Sequence, residues 1–200
     1  MRYQEHPEPE ALITAFKFGV ANREIAAAGS RNLVVAFFGS LFRADSTLIN
    51  LFYKEISRKN SSNLHYGFVG SLWMADTPYG QKTLEKYLQL ESSKKYKNDG
   101  FQNEHPFNIY RDAITAASQL DLIWADFFAT GNPADIKRIA STLDADGSVA
   151  EAAQWSLISN GIRYKKVRQE LLMELANNES STLRQKLSVV KIAIEGELLK

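Results

Sequence analysis

This chain contains two similar stretches of eight residues, GSLFRADS at residues 39–46 and GSLWMADT at residues 70–77. Each begins with glycine, serine, leucine and an aromatic residue, and each ends with alanine, aspartate and a hydroxyl residue. The first half is typical of the end of a buried helix, because glycine allows a neighbouring helix to approach closely. The second half is typical of a helix start, where these side chains accept backbone N–H groups. The repeat therefore predicts a packing device shared by two helix pairs.

A fainter third copy lies at Phe127–Ala129, where Asn132 and Pro133 take the place of the aspartate cap. The first two copies are 31 residues apart, and the third follows after 55. A step of 31 residues is close to the ~34 residues of helix-pair repeats, which bury their apolar faces only by stacking. The longer second step contains the polar stretch 92–107, which we interpret as a loop insertion.

Apolar residues at helical spacing dominate the rest of the chain. The clearest stripe runs from Ile109 to Phe127 in steps of 4, 3, 4, 3 and 4 residues, which predicts a helix of about five turns closed by Gly131. All stripes together predict about nine or ten helices, and no window alternates as a strand does. We therefore predict an all-α fold, a right-handed α-α superhelix of antiparallel helix pairs, as one domain over residues 1–200. The same spacing predicts core positions for Trp73, Trp124 and Trp155.

The composition argues against several classes of function. Lys and Arg number 24 and Asp and Glu number 23, so the net charge is only +1. Nucleic-acid binders usually carry a clear basic excess, because they neutralise phosphates. Cysteine is absent, which excludes disulfides, thiolate metal ligands and cysteine nucleophiles.

Neither a membrane helix nor a signal peptide is indicated. The longest apolar run, residues 33–38, has six residues, whereas a membrane helix needs ~18. The first residues, MRYQEHPEPEALITAF, lack the apolar core of a signal peptide. We therefore expect a soluble, cytoplasmic protein with no membrane partner, although an exported protein whose signal peptide had been removed would begin in the same way.

The patterns that announce catalysis or metal binding are missing from the sequence. His6, His65 and His105 lie far apart and in no metal-ligand spacing. There is no GxSxG, GxGxxG or GxxxxGK motif. Asp121 and Asp126 are five residues apart and do not share a helix face, so Asp126 is either a perturbed acid or, as we favour, a structural polar contact. We expect no catalytic, cofactor-binding or metal-ligating residues.

Two basic segments are the candidate partner-binding sites. The denser one consists of Arg163, Tyr164, Lys165, Lys166 and Arg168. Its cations stand at a helix start, where they oppose the helix dipole, and such a cluster suits phosphate or an acidic partner. The second segment consists of Lys94, Lys95 and Tyr96 in the polar loop. Long loops within domains are typically functional or disordered. The alternative for the first segment is a solvated surface without a binding role. The alternative for the second is a loop that only connects two helices.

The paired helices resemble α-solenoids of the HEAT and tetratricopeptide type, although the tetratricopeptide signature residues are not at their usual spacing. Residues 120–131, followed by 152–157, also resemble a group of bacterial helical proteins of unassigned function. The solenoid resemblance implies a long binding groove, so we expect a non-catalytic protein- or peptide-binding or scaffold module. The alternatives are a small-molecule binder or enzyme with a pocket between helices, and a nucleic-acid adaptor centred on residues 163–168.

Overall fold

A computed structural model of the chain describes residues 8–22, 30–98, 105–145 and 147–200. Every regular element in these ranges is helical, with ten α-helices and two short 3-10 turns. The α-helices are α1 Pro9–Ala21, α2 Arg31–Ala44, α3 Thr47–Ile56, α4 Ser62–Ala75, α5 Pro78–Tyr87, α6 Ala117–Thr130, α7 Pro133–Ser141, α8 Ser148–Arg163, α9 Lys165–Asn177 and α10 Ser181–Leu198. The predicted all-α fold is confirmed for this part of the chain. Residues 99–104 of the predicted loop insertion lie outside it.

The chain divides into two compact units. Unit 1 comprises Met1–Tyr110 and Phe128–Gly131, and unit 2 comprises Arg111–Phe127 and Asn132–Lys200. Helix α6 therefore contributes residues to both units. The single domain and the superhelical stacking of the helix pairs stay predictions.

The two copies of the repeated sequence lie at the ends of α2 and α4, which pack side by side. A Cβ atom added to Gly39 would lie 2.6 Å from the Cβ of Met74, and one added to Gly70 would lie 2.9 Å from Cγ1 of Val35. The Ser71 hydroxyl donates to the carbonyl oxygen of Val35 at 3.1 Å. These pairings advance along both helices together, so α2 and α4 run in the same direction. Because Gly39 and Gly70 have no side chains, they permit this close approach of α2 and α4.

Arg43, at the end of the first copy, holds the last turn of the second. Its Nε donates to the carbonyl oxygen of Ala75 at 3.1 Å, and its Nη2 donates to that of Met74 at 2.7 Å. The last carbonyls of a helix lack partners within the helix, and a cation is favourable beside them. Because Met74 stands where the first copy has Arg43, the two copies are not interchangeable.

The aspartates of the two copies act differently. Asp45 accepts the backbone N–H of the second residue after it at 2.9 Å and so supports the start of α3. Asp76 instead takes a left-handed conformation, with φ of 47°, and ends α4. Because Pro78 holds the first position of α5, the cap falls on Thr77, whose hydroxyl accepts a backbone N–H at 3.0 Å. The prediction that Asp76 caps the following helix is therefore wrong.

Helix α6 is shorter than its apolar stripe predicts. It begins at Ala117, not at Ile109. The side-chain oxygen of Gln119 accepts two backbone N–H groups just ahead of the helix, at 2.6 and 2.9 Å, and so fixes a turn there. The C-terminal prediction is confirmed, since Gly131 has a φ of 68°. Asn132 caps α7 as predicted, accepting a backbone N–H at 3.1 Å.

Candidate functional site

Large apolar side chains are exposed mainly on the last three helices of unit 2. Of the eleven exposed large apolar residues in the described chain, eight lie between residues 155 and 199. They are Trp155, Tyr164, Leu172, Met173, Val189, Ile192, Leu198 and Leu199. Scattered apolar residues are normal on a surface, but their concentration in one region is typical of a binding face.

Helices α9 and α10 line a small open groove with a volume of about 40 Å³. Its floor is apolar, because Leu171, Leu187 and Ile194 are buried there. Leu172 stands at its edge with 47% of its surface exposed. The remaining lining residues are Arg168, Lys191 and Glu195. A partner would therefore contact the exposed side chain of Leu172 beside a charged rim, while the floor residues stay almost wholly covered.

The charged rim carries a small positive excess. Lys191 and Glu195, one turn apart on α10, form an ion pair with an N–O distance of 2.9 Å. Arg168 donates from Nη1 to the carbonyl oxygens of Gly161 and Ile162 at 2.7 and 3.2 Å. These carbonyls belong to the last turn of α8, which Arg168 stabilises. With two cations and one carboxylate, the rim favours a partner that brings negative charge.

The residues of the predicted segment 163–168 do not all lie at the groove. Arg168 reaches the groove, whereas Arg163 and Lys165 are exposed around the short link between α8 and α9. Tyr164 lies in that link and is 43% exposed. Lys166 Nζ lies 5.6 Å from the centre of the Phe127 ring, within cation–π range. Binding by this segment stays a prediction.

The other predicted segment is folded against the start of α4, within unit 1. It forms a 3-10 turn, Lys94–Asn98. Tyr96 is buried, and its hydroxyl donates to the carbonyl oxygen of Ser62 at 2.7 Å. Lys95 Nζ donates to the Ser62 hydroxyl at 2.8 Å, while Lys94 is exposed. Tyr96 therefore has a structural role, and a binding role for the two lysines stays a prediction.

His65, in the first turn of α4, belongs to a buried polar pair. It is buried, with Nδ1 2.6 Å from the Tyr87 hydroxyl and Nε2 2.7 Å from the carbonyl oxygen of Lys59. Because a carbonyl oxygen only accepts, Nε2 carries the proton and the Tyr87 hydroxyl donates to Nδ1. Both ring nitrogens are thus engaged, which is the arrangement of a structural polar pair.

This pair predicts a distinct response to alkaline pH. Burial raises the pKa of Tyr87 above its ordinary 10.0. The neutral phenol therefore stabilises the folded state fully below about pH 10, and that contribution is lost as the pH rises further. Above pH 10 the free energy of unfolding should fall by up to about 1.4 kcal/mol per pH unit more in wild type than in Tyr87→Phe. Urea titrations from pH 8 to 11 measure this difference. The exposed Tyr79→Phe is the control, and equal slopes in wild type and Tyr87→Phe would contradict the assignment.

Charged groups of unit 2 are also buried. Asp126 is fully buried and Asp135 nearly so. Arg138, one turn after Asp135, donates to the carbonyl oxygen of Asp112. Burial lowers the pKa of Arg138, opposed by the charges of Asp112 and Asp135. Partial burial raises the pKa of Asp121. Because burial is expected both of a structural contact and of a perturbed acid, the structural role favoured for Asp126 stays a prediction.

The described residues were also compared with the patterns of metal sites and membrane helices. Within the described residues no three side chains of the His, Asp and Glu type are grouped as metal ligands. His6 lies outside the described residues, and His105 is exposed as predicted, with Nδ1 3.9 Å from an oxygen of Asp76. No described helix combines the length and apolar character needed to cross a membrane.

Sequence patterns missed most of the groove. Leu172, Lys191 and Glu195 were not predicted as site residues, although Leu172 directly follows a core position of α9. Trp155, predicted in the core, is 73% exposed, so that prediction is wrong. Trp124 is buried as predicted. The adjacent apolar residues Leu171 and Leu172 on α9, which cannot both face the core, are the sequence signal that could have marked the groove.

Comparisons with protein-family models, with curated proteins and with solved structures gave no match to the chain. The resemblance to HEAT and tetratricopeptide solenoids and to bacterial helical proteins therefore stays a prediction. Function has to follow from the residues of the chain itself.

Proposed function

We propose that this protein is a non-catalytic protein- or peptide-binding module, and that it binds in the groove between α9 and α10. The observation that carries the proposal is the exposed apolar side chain of Leu172 at the edge of this groove, beside a rim of charged residues. Water is poorly accommodated by such a surface, so covering it with an apolar partner is favourable.

The form of the groove supports a helical peptide as ligand. It lies between two helices, and amphipathic helices place apolar residues at i, i+3 or i+4 and i+7 into grooves of this kind. The exposed side chain of Leu172 would contact these anchors. The excess cation on the rim, with Arg168 beside Lys191, would favour a carboxylate next to them.

A displayed library of amphipathic helical peptides tests the proposal. Peptides selected on the wild-type protein are measured by fluorescence anisotropy against two variants of matched chemistry. Leu172→Asp places a charge at the groove and is expected to weaken binding at least about tenfold. Phe18→Asp changes a side chain that is 64% exposed in unit 1 and is expected to leave binding unchanged. Equal loss in both variants, or none in Leu172→Asp, would place the site elsewhere.

A further inference from the structure

The last helix, α10, carries a second apolar stripe on the side away from its core. Its core stripe consists of Leu183, Leu187, Val190 and Ile194, all buried. The second stripe has Val189 and Ile192 on the helix and Leu199 just after its end, with Gln185 and Gly196 in the same register, and all five are exposed. The second stripe has steps of 4, 3, 4 and 3 residues, the spacing of a helix-pairing seam. Ile192, near its middle, is 67% exposed.

Gly196 distinguishes this face from an ordinary exposed surface. Among the described residues, a Cβ atom added to it would meet no atom within 4 Å. At each of the six other helical glycines in the described chain, an added Cβ would meet a neighbouring atom at 3.0 Å or closer. Those glycines all accommodate packing within the chain. Glycine disfavours a helix relative to alanine, so Gly196 weakens α10 without any packing inside the chain to explain it.

We propose that the second stripe of α10 pairs with the same stripe of a second copy of this chain, with the two helices antiparallel. A two-fold axis near residue 190 would place Val189 against the partner's Ile192, and Gln185 against the partner's Gly196. The missing side chain at Gly196 would then admit the longer glutamine. One surface pairs with itself, as two-fold dimers require.

The charged residues beside the stripe favour a second copy of this chain as the partner, and they favour an antiparallel arrangement of the two helices. Arg184 and Glu195 are 11 residues apart, close to three full turns, so they flank the same side of the stripe. In the antiparallel pair, Arg184 of one copy approaches the partner's Glu195, and this contact occurs twice. In a parallel pair both charges would face the opposite flank of the partner's stripe, so this contact would not form. Glu195 is half exposed while it pairs with Lys191, so it can accept a second cation.

Analytical ultracentrifugation of the full chain over a range of concentrations tests this pairing. We expect a concentration-dependent dimer that Ile192→Asp weakens at least a hundredfold, while Trp155→Asp, also at an exposed apolar position, leaves it intact. Arg184→Glu and Glu195→Arg should each weaken the dimer about tenfold, and the double variant should restore it. Thermal unfolding of each variant separates loss of pairing from loss of fold.

Two outcomes would overturn the pairing. One is a wild-type chain that remains monomeric at every concentration. The other is a dimer that persists unchanged in Ile192→Asp. A dimer lost in Ile192→Asp but not rescued by the charge exchange would overturn the antiparallel arrangement. Peptide binding in the groove depends on Leu172, so it can fail or succeed separately from the dimer.

Discussion

Replacing Gly39 with alanine is expected to lower the free energy of unfolding by about 3 kcal/mol. The added Cβ would lie 2.6 Å from the Cβ of Met74 and 3.1 Å from both the carbonyl carbon of Met74 and the carbonyl oxygen of Ser71. Two of these three atoms belong to the backbone of α4, so rotating a side chain cannot relieve the overlap. The helices must move apart, which costs more than the ~1 kcal/mol that alanine contributes to helix formation.

The second copy of the repeat supplies the matched control. An alanine at Gly70 would meet Cγ1 of Val35 at 2.9 Å, with the next nearest atom at 3.5 Å. Rotation of the valine relieves much of this overlap, so Gly70→Ala should cost only about 1 kcal/mol. Urea unfolding followed by far-ultraviolet circular dichroism measures both changes. Equal costs at the two glycines would show that α2 and α4 do not approach as closely as described.

The repeated stretches could be interpreted from sequence because short-range rules govern them. Glycine at a close helix contact depends on residue size alone. Gly131 and Asn132 were predicted correctly because a left-handed helix end and an N-cap depend only on a few adjacent residues. The error at Asp76 arose because Pro78 has no N–H to match the one that Thr47 donates to Asp45 in the first copy.

The start of α6 could not be predicted from apolar spacing. Ile109 continues the stripe and is buried, but burial does not require that it belong to the same helix. The side chain of Gln119 binds the backbone ahead of the helix instead. The spacing of apolar residues does not show where a polar side chain will bond to backbone N–H groups.

The candidate groove was only partly visible in the sequence. The basic segment drew attention to Arg168 because its charge opposed the helix dipole. In the structure, Arg168 also stabilises the end of the preceding helix, α8. Trp155 and Ile192 show the limit of periodicity, because an apolar residue at helical spacing can face the core or the solvent. Which stripe is covered depends on the packing of distant helices.

Replacing Phe52 with alanine is expected to have the largest effect on stability, about 4 kcal/mol. Phe52 is fully buried, and its ring centre lies 5.3, 5.6 and 5.1 Å from those of Phe16, Phe38 and Phe42. Removing it eliminates these contacts and leaves a cavity among rigid rings. The control is Phe18→Ala, which removes an exposed ring of the same unit and should change stability by less than about 0.5 kcal/mol.

The same variant tests whether residues 1–200 form one domain. Trp73 reports on unit 1, and Trp124 reports on unit 2. In otherwise tryptophan-free variants that keep one of these two, fluorescence follows each unit separately during urea unfolding. We expect Phe52→Ala to shift both transitions equally, because α6 contributes residues to both units and its last three residues alone are less than one helical turn. A shift confined to Trp73 would show that the units unfold independently and that the single-domain prediction is wrong.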